Sequence, residues 1–271
     1  MPKISVIMPF YNCEKFLDAS ISSILHQTFS DFEFIIINDA SYDNSENVVM
    51  KYISDPRILY IKNIHNKWIV HNLNHAITIA RWEIIARMDG DDISDPMRFE
   101  KQLNFLSSYP EISIVGTFSN VIDTNGVFQY HMKKPIHDRD IKKNAFKFLT
   151  LSHNTSMFYR NIYNSVGPYR ETYQYCEDQD FIYRVLLSGY KWANISEFLY
   201  SYRYHENSTN QYRTIVAKNI FLLRKETIKK FRLSCSLQEY FHIYWQFLFQ
   251  YLFSWKIYTW FCYIYKRFVY R

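Results

Sequence analysis

The chain has 271 residues and a net charge of +6; nearly half its residues are apolar and 19% are aromatic. That is ample material for one large domain, or a domain plus a tail. Four cysteines (Cys13, Cys176, Cys235, Cys262) lie far apart with no C-x-x-C pair, which excludes a disulfide frame or a cysteine zinc site and fits reduced thiols in the cytosol. Pro9 interrupts the apolar N-terminus too soon for a signal peptide, so the sequons at Asn154, Asn194 and Asn207 read as chance matches.

Charge is unevenly spread. Residues 1–210 hold 21 Lys/Arg against 24 Asp/Glu, whereas residues 211–271 hold 11 against 2. A mildly acidic body with a basic, aromatic tail implies an anionic partner for the tail, and membrane lipid fits better than nucleic acid because no nucleic-acid motif accompanies the charge.

In chain order, Ile4 to Met8 is a buried strand closed by Pro9. A helix follows with Phe16, Leu17, Ser20, Ile21, Ile24 and Leu25 on one stripe. Phe32 to Ile37 is a second strand, ending in the polar turn 38–45 and a short helix to Tyr52. Ile58 to Ile61 is a third strand, Trp68 to Ala80 a helix, and Ile84 to Met88 a fourth strand. Near-continuous apolar strands alternating with helices predict a parallel sheet covered on both faces, with ligands beyond the carboxyl ends of the strands. Neither G-x-G-x-x-G nor G-x-x-x-x-G-K-[ST] occurs, so a dinucleotide fingerprint and a P-loop are absent.

The fourth strand delivers the chain to Asp89, Asp91 and Asp92, three carboxylates within four positions, before Asp95-Pro96 opens another helix. Such acids repel unless compensated, and a hard divalent ion, Mg²⁺ or Mn²⁺, is the usual compensation. Glu111 to Thr117 and Ser119 to Ile122 predict sheet-edge strands, and residues 131–152 a polar, mobile loop over the site. Met157 to Tyr159 is a short strand, Asp178 to Leu187 a helix, and Leu199 to Tyr204 a closing strand.

Three blocks in order, S-V-I-M-P-F-Y-N at 5–12, L-H-Q-T-F-S-D-F-E-F-I-I-I-N-D-A-S-Y-D-N-S at 25–45 and I-A-R-M-D-G-D-D-I-S-D-P-M-R-F-E-K-Q at 85–102, resemble family 2 glycosyltransferases. Y-Q-Y-C-E-D-Q-D-F-I-Y-R at 173–184 and Y-R-Y-H-E-N-S at 202–208 extend the likeness across residues 3 to 210. The resemblance implies an α/β GT-A fold over 1–210, with 211–271 a helical tail that associates with membrane or packs on the body. It implies an inverting transfer from a nucleotide-sugar donor, most often UDP-linked, to a glycan or lipid-linked acceptor in surface polysaccharide synthesis. Mn²⁺ or Mg²⁺ would be the cofactor.

By the same resemblance Asp178 is the general base, supported by Glu177, and Asp91 is the direct metal ligand, with His205 completing the shell. Pro9, Tyr11, Asp39 and Asp89 would bind the nucleotide sugar, while Asp92 and Arg203 support the site and Asp180 assists the acidic pair. Arg87 is either structural or phosphate-facing. Trp68 and Trp82 stand where relatives commonly have glycine, and an indole at 68 would obstruct or reshape the donor pocket. Those two departures motivate a rival reading as a non-catalytic membrane-bound scaffold. A sugar nucleotidyltransferase is the enzymatic rival, although Pro9-Phe10-Tyr11-Asn12 is unlike its glycine-rich basic loop.

The tail reads as a basic amphipathic helix over 213–232, followed by residues 240–255, which hold nine aromatics and no Asp, Glu, Lys or Arg. Tyr and Trp at this density favour the membrane interface over a spanning helix, hence a cytoplasmic enzyme peripheral to the inner or plasma membrane. The oligomeric state is not legible.

Overall fold

The structure, a computed structural model, describes residues 3–145, 149–173, 175–205 and 213–230. Strands β1 (Ile4–Phe10), β2 (Phe32–Asn38) and β4 (Ile84–Arg87) are buried along their whole length, as their unbroken apolar runs require. β3 (Ile58–Lys62) flanks them, and the described sheet runs β3-β2-β1-β4-β8-β6-β9-β5, with β7 paired to β6. The first four strands are mutually parallel. Beyond them, β8 (Met157–Tyr159) pairs antiparallel to both β4 and β6 (Ile112–Ile122), and β9 (Lys191–Arg203) runs parallel to β6.

Period-two alternation sends neighbouring strand residues into two cores. Val6, Met8, Phe34 and Ile36 pack with Leu17, Ile21 and Ile24 of α1 (Leu17–Leu25) and Phe99, Leu103 and Leu106 of α4 (Arg98–Ser108). Ile7, Ile35, Ile37 and Ile85 pack on the opposite face with α3 (Trp68–Ile79) and α7 (Glu177–Leu187). This is a doubly covered α/β sheet.

Several expectations need correction. The segment 131–152 is not one loop: it holds the end of β7 (Phe128–Met132) and helix α5 (Asp138–Asn144), whose Ile141 is fully buried. The closing strand starts eight residues earlier than the Leu199 edge, because Trp192 and Ala193 enter the sheet beside β6. Helix α4 opens at Arg98, with Pro96 in the turn before it and not in its first turn. The short helix α2 (Ser45–Met50) was expected, whereas β5 (Ile93–Ser94) and α6 (Arg160–Val166) were not, having no apolar period long enough to declare them.

Residues 213–230 form α8 (Arg213–Lys230), which buries Ala217, Leu223, Thr227 and Ile228. Leu223 belongs to the core that contains α7. The exposed positions of α8, Thr214, Ile215, Lys218, Leu222, Lys225, Glu226 and Lys229, gather on one side of the helix, with Glu226 among the lysines. Among the described residues no helix is long and apolar enough to cross a membrane. The aromatic run 240–255 lies outside the described residues.

Candidate active site

The turn after β4 is built around a buried acid. Asp92 has no exposed surface; its carboxylate accepts from the Tyr200 hydroxyl at 2.8 Å, Asn154 Nδ2 at 2.8 Å and the Arg203 backbone N–H at 2.7 Å. Asp92 thus anchors the turn to β9 and supports the acids around it, and burial beside Asp91 and Asp89 pushes its carboxyl well up. Gly90 permits the turn: a Cβ there would stand 2.8 Å from Phe10 Cβ. Arg203 is also structural. Its guanidinium donates to the backbone carbonyls of Asp91 at 2.8 Å and Asp123 at 2.9 Å and lies over the Phe16 ring, so it is spent on holding loops together.

Asp91 faces His205, with Oδ2 and Nε2 2.8 Å apart and the His205 ring against Phe16. Among the described residues no group of three or more His, Cys, Asp or Glu gathers as a metal cluster. One carboxylate and one imidazole nevertheless fit a cation that takes its remaining oxygen ligands from diphosphate and water, the habit of Mg²⁺ and Mn²⁺ at nucleotide sites. Asp91 and His205 are the residues that would hold it.

Asp39 follows β2 on the far side of β1, its N–H bonded to the Phe10 carbonyl. Its Oδ1 accepts from Asn63 Nδ2 and the Lys67 N–H, both at 2.8 Å, and Oδ2 from the Trp68 N–H at 2.9 Å. Three donors fill three of roughly four acceptor positions on a carboxylate. One place remains, on Oδ2. Asp39 therefore fixes the start of α3 while keeping capacity for one further donor. Trp68 sits there with φ +67, a left-handed backbone that glycine adopts freely, and its side chain is exposed. Ala40 (φ +60) and Asn12 (φ +51) share that conformation at the same edge. Tyr11 is exposed and meets Tyr42 edge-on at 6.0 Å. Pro9 is paired in β1 opposite Ile37, two residues before Asp39. Trp82, by contrast, lies at the amino end of the strands: its N–H donates to Ser5 Oγ and Lys3 Nζ lies over its ring. It is remote from the carboxyl edge where Asp39 and Asp89 stand.

Arg87 joins the two halves of the site. It is buried, donates to Asp89 Oδ1 at 2.5 Å and to the Met88 carbonyl at 2.7 Å, and leaves Nε without a partner among the described residues. Across from it, Asp178 in the first turn of α7 is pushed up to about 6, chiefly by burial; the Asp89 charge raises it further while Arg87 and the Gln179 N–H lower it. Glu177 is pushed up to about 7 by burial and the Asp178 charge, and its Oε2 has no hydrogen-bond partner among the described residues. The charges of Asp89 and Arg87 thus reach both acids of the pair. Asp180 stands apart from them, fully buried between Arg170 and Arg184.

Two groups here, His153 and Tyr169, were not among the residues assigned a role from the sequence. His153 Nε2 lies 2.6 Å from the Tyr169 hydroxyl, and burial next to Arg87 holds His153 well below the ordinary histidine range, so it is neutral at pH 7. The His153-Asn154 pair stands where the resemblance has a histidine–proline pair, which was the available hint.

Residues 5–167 match the model of Glycosyl transferase family 2. The O-antigen biosynthesis glycosyltransferase WbnJ of Escherichia coli is 35% identical over 240 residues, which cover 86% of this chain and 93% of WbnJ. The structure of S. aureus TarS 1–349 in complex with UDP superposes with a TM-score of 0.63 at 20% identity, covering 91% of this chain and 80% of the other. The mannosyltransferase PcManGT from Pyrobaculum calidifontis, in complex with GDP-Man and Mn²⁺, gives 0.65 at 15% identity, covering 93% and 70%. At those identities the two structures share the fold with this chain, the mixed α/β GT-A arrangement.

Proposed function

The chain belongs to glycosyl transferase family 2, and on that footing we propose that it moves one sugar, with inversion, from a nucleotide-sugar donor to a hydroxyl of a glycan or lipid-linked acceptor. The observation that carries this reading is Asp178, buried at the start of α7 where the charges of Asp89 and of its partner Arg87 at the end of β4 reach it. Inversion needs a base on the face of the sugar opposite the leaving group, and a carboxylate near pH 6 is ionised at neutrality while still basic enough to take a hydroxyl proton. Asp178 fills that role, with Glu177 beside it.

On the donor side, Asp39, Pro9 and Tyr11 border the nucleotide and Asp89 its ribose, while Asp91 and His205 would hold Mn²⁺ or Mg²⁺. When bound, that ion neutralises charge developing on the diphosphate. WbnJ acts in O-antigen biosynthesis, TarS was captured with UDP and PcManGT with GDP-Man and Mn²⁺. These support a surface-polysaccharide role with a UDP-linked donor and a divalent cation. The lysine stripe of α8 supports peripheral attachment at a membrane. The scaffold alternative loses one motive, since Trp82 lies away from the carboxyl edge of the sheet.

The test is nucleotide release from a panel of UDP-sugars and GDP-mannose with Mn²⁺. The wild type releases nucleotide, EDTA stops it, and Asp91→Ala abolishes it. Asp178→Asn lowers it by about 10²-fold or more. Absence of release from every donor, or full activity in Asp178→Asn, sinks the assignment. A product with the donor's own anomeric configuration would sink inversion alone.

A further inference from the structure

Helix α7 starts without a side-chain cap: Cys176 occupies the cap position and makes no capping bond, although Asp178 accepts from the Gln179 N–H and three acids in the first turn (Glu177, Asp178, Asp180) suit the helix dipole. The residue before that cap, Tyr175, has φ +64, a left-handed conformation that a bulky L residue holds only when its surroundings dictate it.

The surroundings come from α8. The Cys176 thiol donates to the Val216 carbonyl at 3.6 Å. The hydroxyl of Tyr173, a buried residue, donates to the Glu226 carboxylate. Further along α7, Arg224 Nε donates to the Tyr183 hydroxyl at 3.3 Å, both side chains being buried. Leu223 packs into the core that contains α7, and Ala217 is buried. The chain leading into Glu177 is thus tied to α8 on both sides of its strained residue.

We propose that α8 is a positioning element for the acidic pair, and that Glu226, holding Tyr173, is its principal positioning residue. The side chain of Glu226 touches neither substrate nor reacting atoms; it acts by fixing where the first turn of α7 begins. A general base misplaced by an ångström loses much of its effect, while nucleotide binding on the far side of Arg87 does not depend on α7. The inference rests on the proposed role of Asp178 for its kinetic consequence, but not for its structural one.

The experiment uses the full chain carrying Glu226→Ala or Glu226→Gln. Amide hydrogen exchange at residues 175–179 should rise at least about ten-fold in Glu226→Ala, with β1 and α3 unchanged, and Glu226→Gln, which keeps an acceptor for Tyr173, should restore most of the protection. Nucleotide release from the donor found active should fall by roughly ten-fold in kcat, while the affinity for UDP with Mn²⁺ stays constant. Unchanged exchange at 175–179, or a rise spread evenly over the whole domain, overturns the proposal. So does a loss of UDP affinity equal to the loss of rate. If wild type releases no nucleotide but exchange responds locally, α8 still positions α7 and the glycosyl-transfer reading is what fails.

Discussion

Asp178 gains its chemistry from where it is buried. Its carboxyl is raised to about 6 because charge is costly there, and the Asp89 charge adds to the cost. The sign follows: below pH 6 the group is protonated and cannot accept a proton, so kcat/KM should fall about ten-fold per pH unit on the acid side of an apparent pKa near 6. Glu177, near 7, titrates together with it, so the limb belongs to the pair. A pH–rate profile in which Asp178→Asn loses this limb supports the assignment; a limb unchanged by that substitution moves the base elsewhere. The same scale explains how Asp92 and Arg203 support the site: Asp92 is held by Asn154, Tyr200 and the Arg203 N–H, and Arg203 ties the Asp91 and Asp123 carbonyls together.

At the scale of elements, the start of α3 combines function with strain. The Trp68 N–H reaches Asp39 only because residue 68 takes a left-handed turn. With just five glycines in the chain, that turn is made by tryptophan. Trp68→Val should destabilise the protein by about 1 kcal/mol more than Trp68→Gly, because a β-branched side chain tolerates positive φ worst. Thermal unfolding of the two variants checks this, and equal midpoints would mean that the local backbone relaxes. β9 shows a complementary lesson: its length is set by pairing with β6, so its first half carries little strand signal of its own.

For the whole molecule, charge and packing meet in α8. One side is buried against the α7 core, and the other presents Lys218, Lys225 and Lys229 with Ile215, Leu222 and Glu226. Each lysine near an anionic bilayer contributes about 1 kcal/mol. Replacing all three by alanine should therefore lower co-sedimentation with phosphatidylglycerol vesicles by more than ten-fold, leave binding to neutral phosphatidylcholine unchanged, and lose its effect at high salt. Sedimentation equal to wild type would assign the tail's charge another purpose. Those lysines make none of the hydrogen bonds described between α8 and the start of α7, so the change spares that brace.

The sequence by itself determined the parallel half of the fold, the two-faced core and the cluster of acids after β4. Those features follow from local periodicity and from residue types packed into a few positions, both readable along a line. The sequence's resemblance to family 2 glycosyltransferases singled out Asp39, Asp91 and Asp178 as the acids worth attention. Only the tertiary structure decided that Asp39 spends three acceptor positions on Asn63 and the start of α3, that Asp92 is a buried anchor, that Trp82 lies at the wrong end of the sheet, and that α8 holds α7. Each of these depends on contacts between residues dozens of positions apart, and a chain's periodicity carries no record of which distant partner will fill a hydrogen bond or cover a face.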